Sequence, residues 1–560
     1  MAKQTHVTLD RTTASPTTNP LKDSTPRWLS GWYPLIWFSL AEFLLYAQSL
    51  PFGWSYLDDT NLLLNRMELL RSPRLLLRAF GEDVFGTPGG GYYYRPLLTV
   101  SFVIDATLGG GNLAMFRFSN LVYHILATWL LFRCFSVLNI NRGGSFLLSM
   151  LFLLHPAVTQ AVAWVPGRND ILLAIFILAS FLYFIRYLAT GSRKHLALHL
   201  GFWLLGLLTK ETAFLLPFLL LPASWWLWSA RGQKILLPLA GYGVLAAAWF
   251  LVRATVLSGQ AVPVEQTLAS LWRNLPAVLP FLGKSLIPAG LSVFPVLADM
   301  IVPGILGVVA LGTMVTVAVA SKKVATGYSL LGIAWFLIFL VPTFIKHTST
   351  PDLTEHRLYL PLAGVLLFVL DNRPVRTINL RNSRAVMVAG ALAAVFFIAS
   401  FVHIRVFSDR FSFWNNAVQT SPSHAYNYNT LGAMYFMEGD LEKASGLFSK
   451  ALELNPGEFQ ANGNMGLVLM QQGRVHEAAA FYRKEIAVNP GYDNVYYNYG
   501  LLFYNQGKTD SALLMWEKTV EVNPRYVDAY QALIQVYRDL GRQADLERIG
   551  NQAMQQGLTK

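Results

Sequence analysis

Long apolar segments, separated by short polar stretches, fill most of the chain between residues 32 and 407. A helix needs about 20 mainly apolar residues to cross the hydrocarbon core of a bilayer. Eleven of these segments are assigned as spans, so the chain is predicted to be an all-α, polytopic membrane protein. The predicted spans are Trp32–Leu50, Met115–Phe132, Phe146–Leu154, Ile171–Leu188, Leu196–Leu208, Ala213–Trp228, Ile235–Val252, Val302–Ala320, Tyr328–Phe344, Leu358–Leu370 and Ala385–Val406.

Two segments depart from this pattern. The third span stops at His155-Pro156, and because proline breaks a helix, we expect the chain to leave regular helix in the exterior half of the membrane. The segment Leu275–Leu286 is apolar but short, and prolines and Lys284 interrupt it. It is therefore predicted to lie at the membrane interface and not to span.

The distribution of Lys and Arg predicts the orientation of the spans. Four cations precede Trp32, and four arginines lie between residues 373 and 384, so both stretches are placed in the cytoplasm. Asp58 and Asp59 then lie on the exterior side. An odd number of spans places the C-terminal tail on that same side.

Composition agrees with a membrane protein. Of 560 residues, 54% are hydrophobic and only 14% are charged, against about 25% in soluble domains. The net charge of +12 does not indicate nucleic-acid binding, because the excess cations lie in loops between apolar segments. A single cysteine, Cys134, excludes an internal disulfide, and no Asn-x-Ser/Thr sequon occurs. Both features favour a bacterial inner membrane over an endoplasmic reticulum.

The tail after Ser421 repeats itself every 34 residues. Asn-Pro recurs at Asn455, Asn489 and Asn523, with glycines and alanines in a constant phase. This is the tetratricopeptide pattern, in which small residues allow close helix packing and proline ends each unit. Three repeats are clear, and a degenerate fourth, from Val527 to about Gly557, is predicted to be the polar cap.

Arrays of this kind bind extended peptides or protein surfaces along a concave face. Candidate lining residues are predicted on the first helix of the repeats, although several could equally be packing residues. They are Tyr426, Asn429, Asn464, Tyr497, Asn498 and Tyr504.

These patterns divide the chain into successive regions. They are a disordered cytoplasmic N-terminus (1–30), a transmembrane domain (31–407) with a long first exterior loop (51–114), a linker (408–423) and the repeat domain (424–560). One helix is expected within the exterior loop, from Asn65 to Phe80.

The adjacent acids Asp58 and Asp59 stand where the chain leaves the first span. Two neighbouring carboxylates repel, and burial disfavours charge further, so one of them is expected to accept a proton. A cation held by both acids is a second possibility. A solvated loop whose acids are adjacent by chance is a third.

Other polar side chains share the predicted exterior face at the ends of spans. They are Arg95, His155, Gln160, Trp164, Arg168, Asp170, Lys210, Glu211, Glu355, His356 and Arg357. Ionisable residues at membrane depth are costly and are functional candidates, whereas a lone Lys or Arg at a span end commonly snorkels. A carboxylate base with several cations suits a hydroxyl that attacks a donor whose leaving group is a phosphate. The membrane setting suggests that this leaving group is a lipid.

Several short motifs occur in a fixed order along this face. They are Tyr93-Tyr94-Arg95-Pro96-Leu97, His155-Pro156, Ala161-Val162-Ala163-Trp164, Gly167-Arg168, Thr209-Lys210-Glu211 and Glu355-His356-Arg357-Leu358-Tyr359-Leu360-Pro361. With the acidic pair and the repeat tail, they resemble the transmembrane-and-tetratricopeptide O-mannosyltransferases. These belong to the GT-C glycosyltransferases that use polyprenyl-phosphate sugars.

The resemblance implies inverting transfer of a sugar, mannose or another hexose, from a polyprenyl phosphate to a Ser or Thr hydroxyl of a translocated protein. Asp58 would be the general base, and Asp59 would position it or share a cation. The residues implied to bind the donor phosphate or substrate are Arg95, His155, Arg168, Lys210, Glu211, His356 and Arg357. The expected partners are the donor lipid, membrane lipid and a protein acceptor docked on the periplasmic repeats, with no nucleic acid.

One residue departs from the family pattern, because Gln160 stands where relatives often have Glu. No cofactor is expected. A Mg²⁺ or Mn²⁺ ion at the acidic pair is possible, but no further ligands are spaced to complete such a site.

Three alternative functions stay open. The chain could be a non-catalytic membrane scaffold, a lipid transporter, or a glycosyltransferase that acts on a lipid or glycan. Clustered ionisable residues speak against a scaffold, and the absence of visible internal duplication speaks against a transporter. A peptide-binding solenoid favours a protein acceptor over a lipid.

Overall fold

The computed structural model describes residues 26–87, 91–138, 140–257, 263–320, 327–345, 353–371, 375, 378, 380 and 382–558. Every regular element in these residues is a helix, so the predicted all-α class is confirmed. The N-terminus up to residue 25 and most of the arginine-rich loop after the tenth predicted span lie outside the described residues. The chain divides into two compact units, Met1–Asn416 and Ala417–Lys560.

The helices of the first unit are α1 (Tyr33–Tyr46), α2 (Asp58–Leu62), α3 (Met67–Leu70), α4 (Leu75–Arg78), α5 (Pro96–Gly109), α6 (Leu113–Val137), α7 (Arg142–Leu153), α8 (Thr159–Ala163), α9 (Arg168–Thr190), α10 (Arg193–Leu207), α11 (Leu216–Leu227), α12 (Gln233–Val256), α13 (Val264–Asn274), α14 (Val278–Leu286), α15 (Ile301–Ala320), α16 (Gly327–Leu340), α17 (Tyr359–Leu370) and α18 (Ser383–His403). Helix α19 (Arg410–Thr420) contains the unit boundary, so most of the segment predicted as a linker is helical.

Each predicted span contains a helix, but the count of eleven spans is not confirmed. In the described part of the chain, five helices are long and apolar enough to cross a membrane, or six if a bent pair counts as one span. The five are Leu113–Val137, Val165–Thr190, Gln233–Val256, Gly327–Phe344 and Ser383–Phe407. Other predicted spans are shorter helices, such as the 12-residue α11.

Proline explains two of the breaks. Helix α7 ends at Leu153, and the chain bends by 52° before continuing through Pro156–Ala163, as predicted at His155-Pro156. The single helix expected from Asn65 to Phe80 is wrong, because the chain turns at Pro73 and forms the separate short helices α3 and α4.

Helix α9 lies at the centre of the first unit. Nearly all of its residues are buried, and it packs against α6, α10 and α17. Its first turn carries three consecutive polar residues, Arg168, Asn169 and Asp170, which the fold therefore places inside the unit and not on its surface. The candidate site is built around this turn.

The second unit is an array of four helix pairs, which confirms the predicted tetratricopeptide repeats. The pairs are α20 (Ala425–Met437) with α21 (Leu441–Leu454), α22 (Ala461–Gln471) with α23 (Val475–Val488), α24 (Asp493–Asn505) with α25 (Thr509–Val522), and α26 (Val527–Asp539) with α27 (Gln543–Gln555). The degenerate fourth repeat forms a complete pair whose core includes Leu533 and Ile549.

Repeated glycines explain how closely these helices pack. A Cβ atom on Gly466 would lie 2.5 Å from the Tyr482 ring, and one on Gly432 would lie 2.7 Å from the Phe448 ring. Real Cβ contacts are longer than this, so only glycine lets the aromatic ring of the second helix reach the backbone of the first. The first helices of successive repeats, α20, α22 and α24, contact one another and form the inner face.

Candidate functional site

The two adjacent acids after α1 have different environments. Asp59 is buried, and its carboxylate accepts hydrogen bonds from the Ser55 amide at 2.7 Å, the Leu57 amide at 2.8 Å and the Ser55 hydroxyl at 3.0 Å. Asp58, the first residue of α2, is exposed. Asp59 therefore holds the loop backbone, whereas the Asp58 side chain is open to solvent.

The loop before these acids is held in an unusual conformation. Tyr56 has a φ of +58°, a left-handed value that costs a bulky residue about 1–3 kcal/mol. The guanidinium of Arg410 lies 5.2 Å from the centre of the Tyr56 ring, and the Trp414 indole donates a hydrogen bond to the Ser55 carbonyl at 2.8 Å. Contacts from outside the loop thus fix the backbone that presents Asp58.

Arg117 on α6 connects this loop to the turn before α9. Its guanidinium donates to the carbonyls of Phe52, Gly53 (2.6 Å) and Ala163 (3.4 Å), and its charge attracts Asp59. The acidic loop and the end of α8 are therefore tied to one cation. Sequence reasoning did not select Arg117, although its position at the start of a span was the available signal.

A charged cluster lies at the N-terminal end of α9. We use this name for Arg95, Asn169, Asp170, Lys210, Glu211 and His356. The Lys210 ammonium donates to both oxygens of Asp170, at 2.7 and 2.9 Å, and Arg95 donates to Glu211 through Nε at 3.2 Å and Nη2 at 2.9 Å. These two ion pairs are only partly exposed, with Asp170 the most buried member.

Two further members complete the charged cluster. With its amide oriented to satisfy both neighbours, Asn169 accepts from Arg95 Nη1 at 2.9 Å and donates to the Thr209 carbonyl at 2.9 Å. The His356 Nε2 atom lies 3.9 Å from Asp170, and the His356 ring lies 5.4 Å from that of Trp164. Asn169 thus joins Arg95 to the backbone of Thr209, the residue before Lys210, and sequence reasoning missed it although it stands between two selected residues.

The environment shifts two of the cationic groups in opposite directions. Burial lowers the pKa of Arg95, but the charge and hydrogen bonds of Glu211 outweigh burial and raise it overall. Burial lowers the pKa of Lys210, and Asp170 only partly offsets this effect because Arg95 and Arg357 repel the ammonium charge. The charged form of Lys210 is thus disfavoured by its surroundings, and an anion placed beside it would stabilise that form.

Three cationic side chains lie near one another at the charged cluster. Arg357, which follows His356, acts electrostatically on Lys210, and its guanidinium also donates to the Thr343 carbonyl at 3.0 Å. Because Arg95 and Arg357 both repel the Lys210 ammonium group, an anion placed among the three would relieve this repulsion. A phosphate is the kind of anion that guanidinium and ammonium groups bind well.

Gln160 makes a hydrogen bond that an ionised glutamate in its place could not make. Its amide nitrogen donates to the Val293 carbonyl at 2.8 Å, and its amide oxygen accepts from the His356 backbone amide at 3.1 Å. A carboxylate would lose the first of these bonds because it has no N–H group. Gln160 therefore fixes the turn Glu355–Leu358 that carries His356 and Arg357.

Two residues that were predicted to bind the donor lie outside the charged cluster and make buried contacts between helices. Arg168 is fully buried, 2.5 Å from Asp105, and donates to the Asn120 side chain at 2.7 Å and the Phe116 carbonyl at 2.6 Å. The buried ring of His155 is 3.2 Å from the Ser285 carbonyl. Both side chains join helices inside the unit, whereas Arg95, Lys210, Glu211 and His356 come together in the charged cluster.

The predicted acceptor-docking residues of the second unit also differ among themselves. Asn464 donates to Asn429 at 3.0 Å, and Asn429 donates to the Phe459 carbonyl at 3.1 Å, so these two connect neighbouring repeats. Tyr504 is 44% exposed. The remaining three, Tyr426, Tyr497 and Asn498, are half-buried.

Among the described residues, no group of three His, Cys, Asp or Glu side chains is placed to hold a metal ion. The expectation of chemistry without a cofactor stays a prediction.

Comparisons with known proteins find one repeat family and several protein O-mannosyl-transferases. The tetratricopeptide repeat family matches residues 434–493. Protein O-mannosyl-transferase Tmtc1 of Drosophila melanogaster is 32% identical over 179 residues, 31% of this chain and 21% of that protein. Protein O-mannosyl-transferase TMTC2 of Homo sapiens is 32% identical over 167 residues, 29% of this chain and 19% of that protein.

The chain therefore spans about a fifth of the length of the curated relatives it matches. Among solved structures, a crystal structure of MamA covers 26% of this chain at 22% identity, with a TM-score of 0.24. The chain is thus similar to the TMTC protein O-mannosyl-transferases and carries tetratricopeptide repeats of its own.

Proposed function

We propose that this chain is a membrane glycosyltransferase that moves a hexose, mannose in the first place, from a polyprenyl-phosphate donor to a Ser or Thr hydroxyl of a translocated protein. The observation that carries the proposal is an exposed carboxylate, Asp58, at the same end of α9 as the charged cluster. Helix α2 packs against the turn Val165–Gly167, which leads directly into Asn169 and Asp170.

The proposed reaction assigns each group one task. The Asp58 carboxylate takes the proton of the acceptor hydroxyl, and the oxygen of that hydroxyl attacks the anomeric carbon of the sugar. The bond from that carbon to the phosphate oxygen breaks, and the polyprenyl phosphate leaves with both electrons. Arg95, Lys210 and Arg357 stabilise the charge that develops on the phosphate. Attack from the side opposite the leaving group inverts the anomeric carbon.

The relatives, the repeats and the charge pattern support the proposed acceptor and membrane placement. The relatives are named protein O-mannosyl-transferases, and a peptide-binding repeat array suits a protein acceptor better than a lipid. In the proposed topology eleven spans cross a bacterial inner membrane, with the N-terminus in the cytoplasm and the charged cluster and repeats in the periplasm.

The experiment is a transfer assay on purified full-length protein in detergent, with radiolabelled polyprenyl-phosphate mannose and a periplasmic protein extract. Loss of the base is expected to lower kcat by about 10²–10⁴-fold, so Asp58→Asn should transfer almost no label. Glu68→Gln is the matched control, because it removes an exposed carboxylate from the same loop region and should transfer at the wild-type rate.

Near-normal transfer by Asp58→Asn would remove Asp58 as the base. If the wild type transfers no label from mannose, glucose or N-acetylated hexose donors while its repeats still retain periplasmic proteins, the chain is a scaffold and the proposal fails.

A further inference from the structure

A second polar region lies at the opposite end of α6 and α9 from the charged cluster. Arg133 comes sixteen residues after Arg117 on α6, and Arg186 comes sixteen residues after Asp170 on α9. At 1.5 Å per residue, this places about 24 Å, most of a bilayer core, between the two regions. The second region therefore cannot take part in the proposed transfer.

Three arginines and two tryptophans surround a cavity of about 480 Å³ at this end. We call it the arginine cavity. Its lining residues are Gly31, Trp32, Trp129, Arg133, Ser136, Val137, Arg142, Leu182 and Arg186. The arginines come from α6, α7 and α9, so helix packing and not a flexible loop brings them together.

The three guanidinium groups are held in place by neutral partners. Arg142 donates to the carbonyls of Leu29 and, at 3.0 Å, Gly31. Arg133 lies 5.6 Å from the Trp129 ring centre, and Arg186 lies 5.3 Å from that of Tyr183.

None of these three arginines forms an ion pair with an Asp or Glu within the described residues. Arg133 acts electrostatically on Arg142, so like charges face one another, and no carboxylate of the described residues pairs with either. A partly buried site where three arginines meet and no described carboxylate pairs with them favours an anion, and the planar guanidinium forks match phosphate oxygens.

An apolar surface continues from the arginine cavity along α1. Trp32 stacks on Trp129 with ring centres 5.5 Å apart and is itself 67% exposed. The next turns of α1 expose Ile36 and Leu40. Exposed apolar side chains below a belt of tryptophan are typical of a surface that faces acyl chains. A ligand with a phosphate head and a hydrocarbon tail fits both parts.

We propose that the arginine cavity binds the phosphate headgroup of an anionic membrane phospholipid. The phosphate lies between Arg133, Arg142 and Arg186, and its acyl chains run along the exposed face of α1. Basic pockets between membrane helices on the cytoplasmic side are a known way to bind such headgroups. The proposed topology of the chain places this end of α6 and α9 on that side.

The test measures lipid retention and melting temperature of the full-length protein in detergent. Native mass spectrometry would count bound phosphatidylglycerol and phosphatidylcholine, and thermal unfolding would be followed while either lipid is added. The wild type should retain phosphatidylglycerol, melt at a higher temperature in its presence, and respond little to phosphatidylcholine. Each arginine near an anionic headgroup contributes about fivefold in affinity, so Arg133→Gln/Arg186→Gln should bind at least tenfold more weakly.

Arg193→Gln/Lys194→Gln is the matched control, since it removes two exposed cations just beyond α9 without touching the arginine cavity. It should keep the wild-type affinity within about twofold. An equal loss in both double variants would mean attraction to the surface only and would overturn the site. If Arg133→Gln/Arg186→Gln does not fold, the test is the comparison of phosphatidylglycerol and phosphatidylcholine binding by the wild type. Equal binding of the two lipids, or an equal melting shift with inorganic phosphate, would also overturn the proposal.

Discussion

Among the described residues, buried ion pairs that join distant parts of the sequence occur in the first unit, whereas the ion pairs of the second unit are exposed. In the first unit Lys284 pairs with Glu355 at 2.5 Å across 71 residues of sequence, and both side chains are buried. In the second unit Lys450 pairs with Glu453 at 2.8 Å on one exposed helix face. Local exposed pairs are worth little, whereas a buried pair must repay a large desolvation cost. The buried ion pairs of the first unit therefore require an exact arrangement of the helices that carry them.

Breaking a buried pair should have the largest effect. Lys284→Met removes the cation 2.5 Å from the buried Glu355 carboxylate and leaves only the His403 ring, 3.8 Å away, so it should destabilise the first unit by about 3–5 kcal/mol. The measurement is the midpoint of thermal unfolding in detergent. Lys450→Met is the control, and it should unfold within error of the wild type because its pair is exposed. Comparable losses in the two variants would show that burial does not distinguish the two units.

The second unit should depend instead on close helix packing. Gly466→Val places a branched side chain where even a Cβ would lie 2.5 Å from the Tyr482 ring, so it should destabilise the repeats by about 1–3 kcal/mol. Protease resistance of the repeat domain in the full-length chain, followed over a urea series, reports this loss.

Gly446 provides the matched control on α21. Nothing lies within 4 Å of a Cβ built there, and its backbone is helical. Gly446→Ala should therefore stabilise the repeats by about 0.5–1 kcal/mol, because alanine loses less conformational freedom on folding than glycine. A loss of stability at Gly446, or none at Gly466, would mean that contact with the second helix is not the reason for the repeated glycines.

The same contrast explains what could be predicted from the sequence. The repeats were predictable because each is a local unit of 34 residues whose glycine and proline positions fix its turns. The positions of the apolar helices in the first unit were also predictable. Their exact bounds were not. Helix α11, for example, begins at Leu216 and not at Ala213, because Glu211–Leu215 forms a 3₁₀ helix and Pro217 stands in the first turn of α11.

The candidate site was predictable only as a set of residues on one face. Arg168, Asn169 and Asp170 are consecutive, and each step along a helix turns the side chain by about 100°. Arg168 consequently reaches Asp105 while Asp170 reaches Lys210. The order of residues along the chain predicts at which end of a span they lie. It does not predict which neighbouring helix each side chain contacts, because that depends on how the helices pack.

Lys210 should make donor binding depend on pH. Burial lowers the pKa of Lys210 in the folded chain, so it loses its charge at a lower pH than an ordinary lysine, and the proposed contact with the donor phosphate should weaken there. Between the lowered pKa and about 10.5 the unfolded chain binds the extra proton, so this group alone makes folding stability rise with pH. Because the Lys210 ammonium group loses its proton in this pH window, KM for the lipid donor should rise about tenfold over it, which is the scale of one charge-assisted hydrogen bond.

Lys210→Arg is the control for this titration, because a guanidinium stays charged throughout the range. Its KM should stay flat where that of the wild type rises. A rise of the same size in both proteins would assign the pH dependence to another group.

The smallest expected effect concerns acceptor docking on the repeats. Asn498 occupies on α24 the place that Asn464 occupies on α22, yet within the described residues its side chain makes no hydrogen bond of its own. Its amide is thus available to an acceptor backbone, and Asn498→Ala should raise KM for the protein acceptor about threefold without changing kcat or donor KM. Asn429→Ala is the contrasting variant: it removes the bonds to Asn464 and Phe459 and should lower repeat stability by about 1 kcal/mol. An unchanged acceptor KM in Asn498→Ala would place docking elsewhere on the array.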